Sequence, residues 1–445
     1  MKDGKFLTLG IESSCDETAV SVVADGRAML SNVISSQIDI HTLYGGVVPE
    51  IASRHHLENI NGVISEALFE AGVTLDDIDL IGVTNGPGLI GAVVIGVATA
   101  KALSFAKSIP LVGVNHMHGH VSANYIQYPD LEPPFISLVV SGGHTQIIKV
   151  TDYNKCEVIG ATRDDAAGEA FDKVARVIGL GYPGGPKVDK AAKKGDPDAI
   201  QFKRVWLEKD SYDFSFSGLK TQALNYINQE RMQGHEIPVN DIAASYQAAI
   251  LDVIIQKSIR AALEFGKELE SGSGAQGGSA AVDARAVEEA TGSAGKDTGA
   301  AVETAGSAGK DTGAGSVQEQ GTGSEKAQGF GSAKAQGTGS EKAQGFGSAK
   351  AQGTGSEKAQ GFGFAKAQGT GSGAPKLVVA GGVAANSALR EGLALAATEH
   401  GIDLYIPDPV LCTDNGAMIG AAAYYKYRAS GPDQLTLDAY ADLEM

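Results

Sequence analysis

Two stretches of the chain place apolar, strand-forming residues on either side of a short polar centre. The first is FLTLGIESSCDETAVSVVA, with its polar centre at residues 12–17, and the second is FISLVVSGGHTQIIKV, which begins at Phe135. Apolar β-prone runs around a polar turn are typical of paired antiparallel strands. We therefore predict two β-hairpins, each opening one half of the chain, and two similar α/β halves that face each other.

Helical and strand-turn-helix patterns occupy the sequence after each hairpin. Residues 54–72 and Asn240 to about Leu269 carry apolar residues at helical spacing. The segments DLIGVTNGPGLIGAVVIGVATAKAL and KLVVAGGVAANSALREGLALAA are typical of a strand, a glycine-rich turn and a helix. A last helix is predicted to begin near Asp414. This alternation predicts the α/β class.

Residues 271–373 differ in composition from the rest of the chain. The unit GTGSEKAQGFGSAKAQ begins at Gly321, recurs at Gly337 and returns at Gly353 with Phe364 in place of Ser. The region's apolar residues are nearly all Ala, so it cannot bury enough surface to offset the conformational entropy lost on folding. We predict a disordered low-complexity insertion rather than a solenoid, because stacked repeats need a core that this unit lacks.

Charge and composition narrow the classes of protein that need to be considered. The net charge of −17, from 36 basic and 53 acidic residues, argues against a protein that binds nucleic acid through its overall field. No apolar run approaches the ~20 residues that span a bilayer, and no secretory signal precedes the first hairpin. Cys15, Cys156 and Cys412 form no CxxC pair. We expect a cytoplasmic protein with reduced thiols and no membrane association.

The segment VNHMHGHVSANY carries the first candidate metal ligands. His116 and His120 are four residues apart, so on a helix they share a face and can reach one metal ion, although paired histidines also occur on ordinary polar faces. A zincin protease would need Glu where Met117 stands. Asp414 is the best candidate for a third ligand, and an Asp before an apolar helix is also typical of an N-cap. His118 lies on another face of the helix.

Glycine turns and acidic residues supply further candidates for binding and catalysis. The turns at residues 141–143 and 381–386 could bring backbone N–H groups close to an anion, but glycine at a turn is usually a matter of geometry alone. Asp16 and Glu17 could act as bases at the first hairpin tip, or could simply be solvated loop residues. Asp172 and Asp189 are equally open to either interpretation. The folded part contains no P-loop or dinucleotide-binding motif in the required setting.

Ten ordered segments together resemble the signatures of the TsaD family, from about Leu7 to Tyr427 apart from the insertion. These segments are GIESSCDET, YGGVVPEIASRHH, NGPGLIGAVVIGVATAKAL, NHMHGH, LVVSGGHTQ, GEAFDKVAR, GYPGGPKVD, FSFSGLKT, VVAGGVAAN and CTDNGAMIG. The resemblance implies an ASKHA (actin-like ATPase) fold, with two RNase H-like lobes around a central cleft. The expected domains are a first lobe at 1–133 with helix 414–428, a second lobe at 134–270 and 374–413, the insertion at 271–373, and a tail at 429–445.

The same resemblance implies a reaction and a set of site residues. The reaction moves a threonylcarbamoyl group from threonylcarbamoyl-AMP to N6 of the adenosine 3′ of the anticodon, in tRNAs that read codons beginning with A. One divalent metal ion, Fe²⁺ or alternatively Zn²⁺, would be held by His116, His120 and Asp414. The substrate would lie against Val139, Val140, Ser141, Gly142, Gly143, Asp172, Gly185, Asp189 and Asn386. Asp16 or Glu17 would help to remove the proton of the attacking amine.

Two other functions fit the same fold. A sugar or acid kinase would need a catalytic Asp and Mg²⁺, and it would leave the histidine pair without a role. An ATP-dependent binding protein would use the repeats as its interaction arm. An acidic enzyme would recruit tRNA through a local basic patch or through partner subunits, and the resemblance implies companion proteins like TsaB and TsaE as those partners.

Overall fold

The computed structural model describes residues 2, 4–272 and 373–445. The predicted disorder of the repeat segment concerns residues that lie almost wholly outside this described part. Within it, the elements of the first half are β1 (Leu7–Glu12), β2 (Glu17–Ala24), β3 (Ala28–Ser36), α1 (Ile38–Thr42), α2 (Pro49–Glu70), β4 (Leu80–Gly86), α3 (Ile90–Lys107), β5 (Leu111–Asn115) and α4 (His116–Gln127).

The second half begins at the second predicted hairpin. Its elements are β6 (Phe135–Val140), β7 (Thr145–Asp152), β8 (Lys155–Ala161), α5 (Ala167–Val177), α6 (Gly184–Ala192), α7 (Ser217–Gln233), α8 (Val239–Gly272), β9 (Lys376–Ala380), α9 (Ser387–His400), β10 (Asp403–Tyr405), α10 (Pro409–Cys412) and α11 (Gly416–Ser430). Helix α11 returns to the first half, where it packs against β1 and α4.

Two five-stranded sheets share one topology. Their strand orders are β3-β2-β1-β4-β5 and β8-β7-β6-β9-β10, and in both the hairpin strands pair antiparallel while the later strands pair parallel. The tips of the hairpins lie between the pairs Glu12–Ala19 and Val140–Thr145. Both predicted hairpins are confirmed, and the repeated sheet is that of the ASKHA fold, as expected.

The central strands are buried on both faces, which explains why they read as continuous apolar runs rather than alternating ones. Every residue of β1 and of β6 is buried. Helices α2 and α11 both contact the first sheet. A strand that is covered on both faces has no face exposed to water, so apolar and polar residues do not alternate along it.

Helix α11 approaches β1 unusually closely, because glycines line the contact. A Cβ atom on Gly10 would overlap main-chain atoms of Gly416 and Gly420, and a Cβ on Gly416 would overlap the backbone of Val20. Glycine is the only residue that permits such an approach. The contact fixes the start of α11 directly against the first hairpin.

One described helix, α3, is long and apolar enough to cross a membrane by length and composition. Helices in the core of a globular protein meet the same criteria, and α3 packs against β4 and α2. The expected absence of membrane association therefore stays a prediction.

The glycine contact predicts that Gly10→Ala destabilises the fold. The added methyl group has no space between β1 and α11, so we expect a loss of ~1–3 kcal/mol in the free energy of unfolding, measured by urea titration. Gly62→Ala is the matched control, because Gly62 lies on the exposed face of α2 with no atom near its missing Cβ. Alanine there should stabilise the helix by ~0.5–1 kcal/mol. Equal stability of wild type and Gly10→Ala would contradict the packing described.

Candidate metal centre and cleft

Helix α4 carries two buried histidines that face each other. The side chain of Asn115 caps the helix by accepting a 2.8 Å hydrogen bond from the backbone N–H of Met117, so the helix starts at His116. The rings of His116 and His120 have centroids 4.6 Å apart. They are only 6% and 1% exposed, which excludes the ordinary polar helix face as an explanation.

Asp414 lies beside the histidine pair, at the start of α11. Its Oδ1 atom is 3.6 Å from Nε2 of His116 and 3.3 Å from Nε2 of His120. The capping interpretation of Asp414 is wrong, because the N-cap is Asn415, whose side chain accepts a 2.9 Å hydrogen bond from the N–H of Met418. With Asn415 as the cap, the Asp414 carboxylate faces the imidazoles instead of the end of its own helix.

The three side chains have the composition and spacing of a metal site. Their candidate ligand atoms lie within 4.8 Å of one another. Both ring nitrogens of His120 are buried without a partner in hydrogen-bond geometry among the described residues, and a metal ion bound at Nε2, the nitrogen nearer Asp414, is one explanation for that. Burial alone would raise the pKa of Asp414, but the charge of His116 and then the neighbouring His120 lower it well below its usual range. Two imidazoles and one carboxylate could hold a divalent ion with open positions.

A fourth residue, Glu12, orients the first histidine, and the sequence analysis missed it. Its Oε2 atom is 3.0 Å from Nδ1 of His116 and accepts a 2.6 Å hydrogen bond from the Thr84 hydroxyl. This contact leaves Nε2 of His116 directed at Asp414, in the arrangement by which carboxylates fix metal-binding histidines. A carboxylate at the end of a fully buried apolar strand is the signal that could have identified it.

Glu12 and His116 form a buried charged pair. Burial alone would raise the pKa of Glu12, but the charge of His116 and its hydrogen bond lower it. Burial alone would lower the pKa of His116, but the charges of Glu12 and then Asp414 raise it to about 9. In the absence of a metal ion, the imidazole is therefore positively charged at neutral pH.

The glycine turn of the second hairpin lies next to these ligands. The backbone N–H of Ser141 bonds to the carbonyl of His144 at 2.8 Å, while Cβ atoms on Gly142 and Gly143 would meet only open space. The ring centroids of His144 and His116 are 6.5 Å apart, so the turn lies close to the histidine pair. His144 was not among the predicted site residues, although it belongs to the LVVSGGHTQ segment.

The remaining predicted binding residues lie in two neighbouring places of the second half. Asp172 accepts a 2.6 Å hydrogen bond from the N–H of Gly184, and Gly185 beside it is open to ligand. Asp189 accepts a 2.8 Å hydrogen bond from Ser387, next to Asn386.

The side chains of some predicted binding residues already have partners within the protein. Asn386 caps α9 through its Oδ1 atom and donates from Nδ2 to Gln247 at 2.7 Å. The side chains of Val139 and Val140 are fully buried in the core. These two valines can offer a ligand only main-chain groups.

The first hairpin tip, residues 13–16, carries Asp16, which is 8% exposed, and Glu17 follows it. Burial, and then the charges of Asp16 and Asp414, raise the pKa of Glu17 to about 10, so its carboxyl group is protonated at neutral pH. Asp16 also helps to raise the pKa of Tyr182, after the larger effect of burial. The tip therefore lies close enough to the second half for the charge of Asp16 to act on Tyr182.

A cavity of about 370 Å³ occupies this part of the cleft. It is lined by Tyr44, Gly45, Asp172, Arg176, Gly181 and Tyr182. Arg176 bridges the halves by donating a 2.5 Å hydrogen bond from Nη2 to the carbonyl of Gly45. The predicted binding residue Asp172 thus shares a cavity with residues of the first half.

The fold and these residues define an ASKHA-type protein with a candidate metal centre in its cleft. Residues 28–292 and 359–421 match the family TsaD, described as tRNA N6-adenosine threonylcarbamoyltransferase. The chain belongs to this family.

Individual relatives agree with the family match over the whole chain. The tRNA N6-adenosine threonylcarbamoyltransferase of Clostridium perfringens (strain ATCC 13124) is 43% identical over 441 residues, which cover 99% of this chain and 98% of that protein. The protein of the same name from Clostridium kluyveri (strain ATCC 8527) is 42% identical over 444 residues, covering 100% and 99%. These relatives do not favour the kinase or ATP-dependent binding-protein alternatives.

Among solved structures, T. kodakarensis HypF shares the fold. It superposes with a TM-score of 0.50 at 12% identity, over 96% of this chain and 48% of that protein. At this identity the likeness concerns the fold alone.

The Glu12–His116 pair predicts how stability depends on pH in protein freed of metal by a chelator. The pKa of His116 rises from an ordinary 6.5 to about 9 on folding, so the pair's contribution is complete below about pH 6.5 and is lost as the pH rises through 9. Glu12→Gln should have a lower free energy of unfolding than wild type. That free energy should also decline less than in wild type as the pH rises from 6.5 to 9. Urea unfolding across this range measures both effects.

Glu58→Gln serves as the control for that titration. Glu58 is an exposed carboxylate 3.5 Å from His55, so its loss should leave the pH profile unchanged. A Glu12→Gln profile parallel to that of wild type would show that Glu12 does not hold the proton on His116.

Proposed function

We propose that this protein transfers a threonylcarbamoyl group from threonylcarbamoyl-AMP to N6 of the adenosine 3′ of the anticodon, in tRNAs that read codons beginning with A. The observation that supports this most directly is the meeting of His116, His120 and Asp414 beside the open glycine turn. The names of the relatives support the same reaction. The proposal makes the protein a metal-dependent acyltransferase.

The proposed metal is Fe²⁺, with Zn²⁺ as the alternative, held by His116, His120 and Asp414. Mixed nitrogen and carboxylate ligands suit either ion, and both imidazoles are buried. When bound, the ion would supply positive charge that polarises the acyl carbonyl and stabilises the departing phosphate. The neighbouring Glu12 would keep the ring of His116 in its ligating orientation.

The glycine turn would bind the adenylate. Gly142 and Gly143 have no side chains, and open space lies where their Cβ atoms would be, so a phosphate could approach the main chain closely. Val139, Val140 and Ser141 lead the main chain into this turn. Asp172, Gly185, Asp189 and Asn386 would complete the pocket for the nucleoside.

Asp16 would accept the proton released when the new bond forms. The N6 amine of adenosine is a weak nucleophile because its lone pair is delocalised into the ring. As the bond from N6 to the acyl carbon forms, the anhydride bond from that carbon to the phosphate oxygen breaks, AMP leaves, and the N6 proton passes to a carboxylate. Glu17 is protonated at neutral pH, which favours Asp16 for this role.

Recruitment of tRNA needs help in a protein with a net charge of −17. Companion proteins like TsaB and TsaE would supply or complete the surface that tRNA binds. Reduced cysteines agree with a cytoplasmic location, since Cys15, Cys156 and Cys412 are all free. The division into two lobes at 1–133 with 414–428 and 134–270 with 374–413 places the proposed cleft between them.

Nucleoside mass spectrometry of tRNA tests the proposed reaction. Cells depleted of the protein should lose N6-threonylcarbamoyladenosine, and wild type should restore it while His116→Ala should not. Purified His116→Ala should also contain less metal by plasma mass spectrometry, because one ligand is gone. His118→Gln is the matched control on the same helix and should keep both modification and metal. Normal levels of the modified nucleoside without the protein would reject the proposal.

Paired carboxylate variants test the assignment of the base. Glu17→Gln replaces a protonated acid with an uncharged group of the same shape, so single-turnover transfer should stay close to wild type. Asp16→Asn removes the proton acceptor and should slow the chemical step by ~10²–10⁴-fold. A reversed order, with Glu17→Gln inactive and Asp16→Asn active, would assign the base to Glu17.

A further inference from the structure

Three successive carbonyl groups at the first hairpin tip, residues 14–16, are all held by hydrogen bonds from other elements. The outer two accept from the backbone N–H of Leu89 at 2.8 Å and of Gln37 at 3.0 Å. The middle one, that of Cys15, is held by the ring of His56, with Nε2 at 2.9 Å. His56 is therefore the side chain that completes the restraint of the tip.

The bonding of His56 determines its tautomer. A carbonyl can only accept, so Nε2 carries a hydrogen and donates it to Cys15. Nδ1 is then the acceptor for the hydroxyl of Thr18, which is 2.8 Å away. The ring is fully buried in α2, and burial lowers the pKa of His56 and keeps the ring neutral. One rigid imidazole thus bonds to the chain on both sides of Asp16.

We propose that His56 is a positioning residue for Asp16. The inference rests on the proposed function, in which Asp16 accepts the N6 proton. His56 does not reach the cleft itself, because its two ring nitrogens are both used within the first half. It holds the main-chain carbonyl of Cys15 and the side-chain hydroxyl of Thr18, and thereby the direction in which the intervening carboxylate points.

Kinetics of two His56 variants test this role. Leucine removes both hydrogen bonds and frees the tip, so kcat for transfer should fall by about 10- to 100-fold while KM for tRNA changes little, as expected when a reacting group is misplaced by about an ångström. In His56→Gln the amide N–H can still reach the Cys15 carbonyl, so this variant should recover most of the lost kcat. Equal kcat values for wild type and His56→Leu would overturn the proposal.

A double-mutant cycle separates positioning from a general loss of structure. If His56 acts through Asp16, His56→Leu should slow wild type but cause no further loss of kcat in an Asp16→Asn background. Multiplicative losses would contradict the proposal. Ile60→Val is the matched control, because Ile60 is buried one turn further along α2 and packs in an apolar cluster. It should lower stability but leave kcat unchanged.

Thr18→Val provides a second probe if His56→Leu does not fold. Valine keeps the shape of Thr18 and removes only the hydroxyl, so a lower kcat with unchanged metal content is expected, and an unchanged kcat would count against the proposal. Failure of the proposed function can be told apart from failure of the positioning role, because wild-type protein would then form no threonylcarbamoyladenosine at all. Active wild type with fully active His56 and Thr18 variants would reject the positioning role alone.

Discussion

The close contact between β1 and α11 determines where the candidate metal ligands meet. Gly10, Gly416 and Gly420 let the helix lie directly on the strand, and any larger residue would move the start of the helix outward. Asp414 lies directly before Asn415, the N-cap of this helix, so its distance from the histidines depends on that packing. The site thus combines residues some 300 positions apart in the sequence. They meet because glycines, which have no side chains, let α11 pack directly on β1.

Burial of charge is the second constraint on the centre. His116 lies between the carboxylates of Glu12 and Asp414, and charges removed from water are tolerated only when they are paired or bind an ion. Neither ring nitrogen of His120 has a partner in hydrogen-bond geometry among the described residues, although Nε2 lies 3.3 Å from Oδ1 of Asp414. A bound cation would pair with the Asp414 carboxylate and with the imidazoles of His116 and His120. Burying these groups is costly without an ion but suits a metal centre.

The sequence allowed some features to be predicted and concealed others for physical reasons. Hairpins and buried strands follow from local apolar patterns, which is why both hairpins and the repeated sheet were predictable. The role of Asp414 depended on which of two adjacent residues caps α11, and either Asp414 or Asn415 suits that position locally. Glu12 and His56 act through contacts with residues 104 and 41 positions away, which no local pattern reveals. The resemblance supplied candidate binding residues, but it did not reveal that the side chain of Asn386 already caps α9.

Anomalous X-ray diffraction from crystals of the purified protein tests the central claim most directly. One strong peak is expected at a transition-metal absorption edge, within ~2.0–2.2 Å of Nε2 of His116, Nε2 of His120 and a carboxylate oxygen of Asp414. A peak bound elsewhere, or a fully occupied site that excludes Asp414, would contradict it.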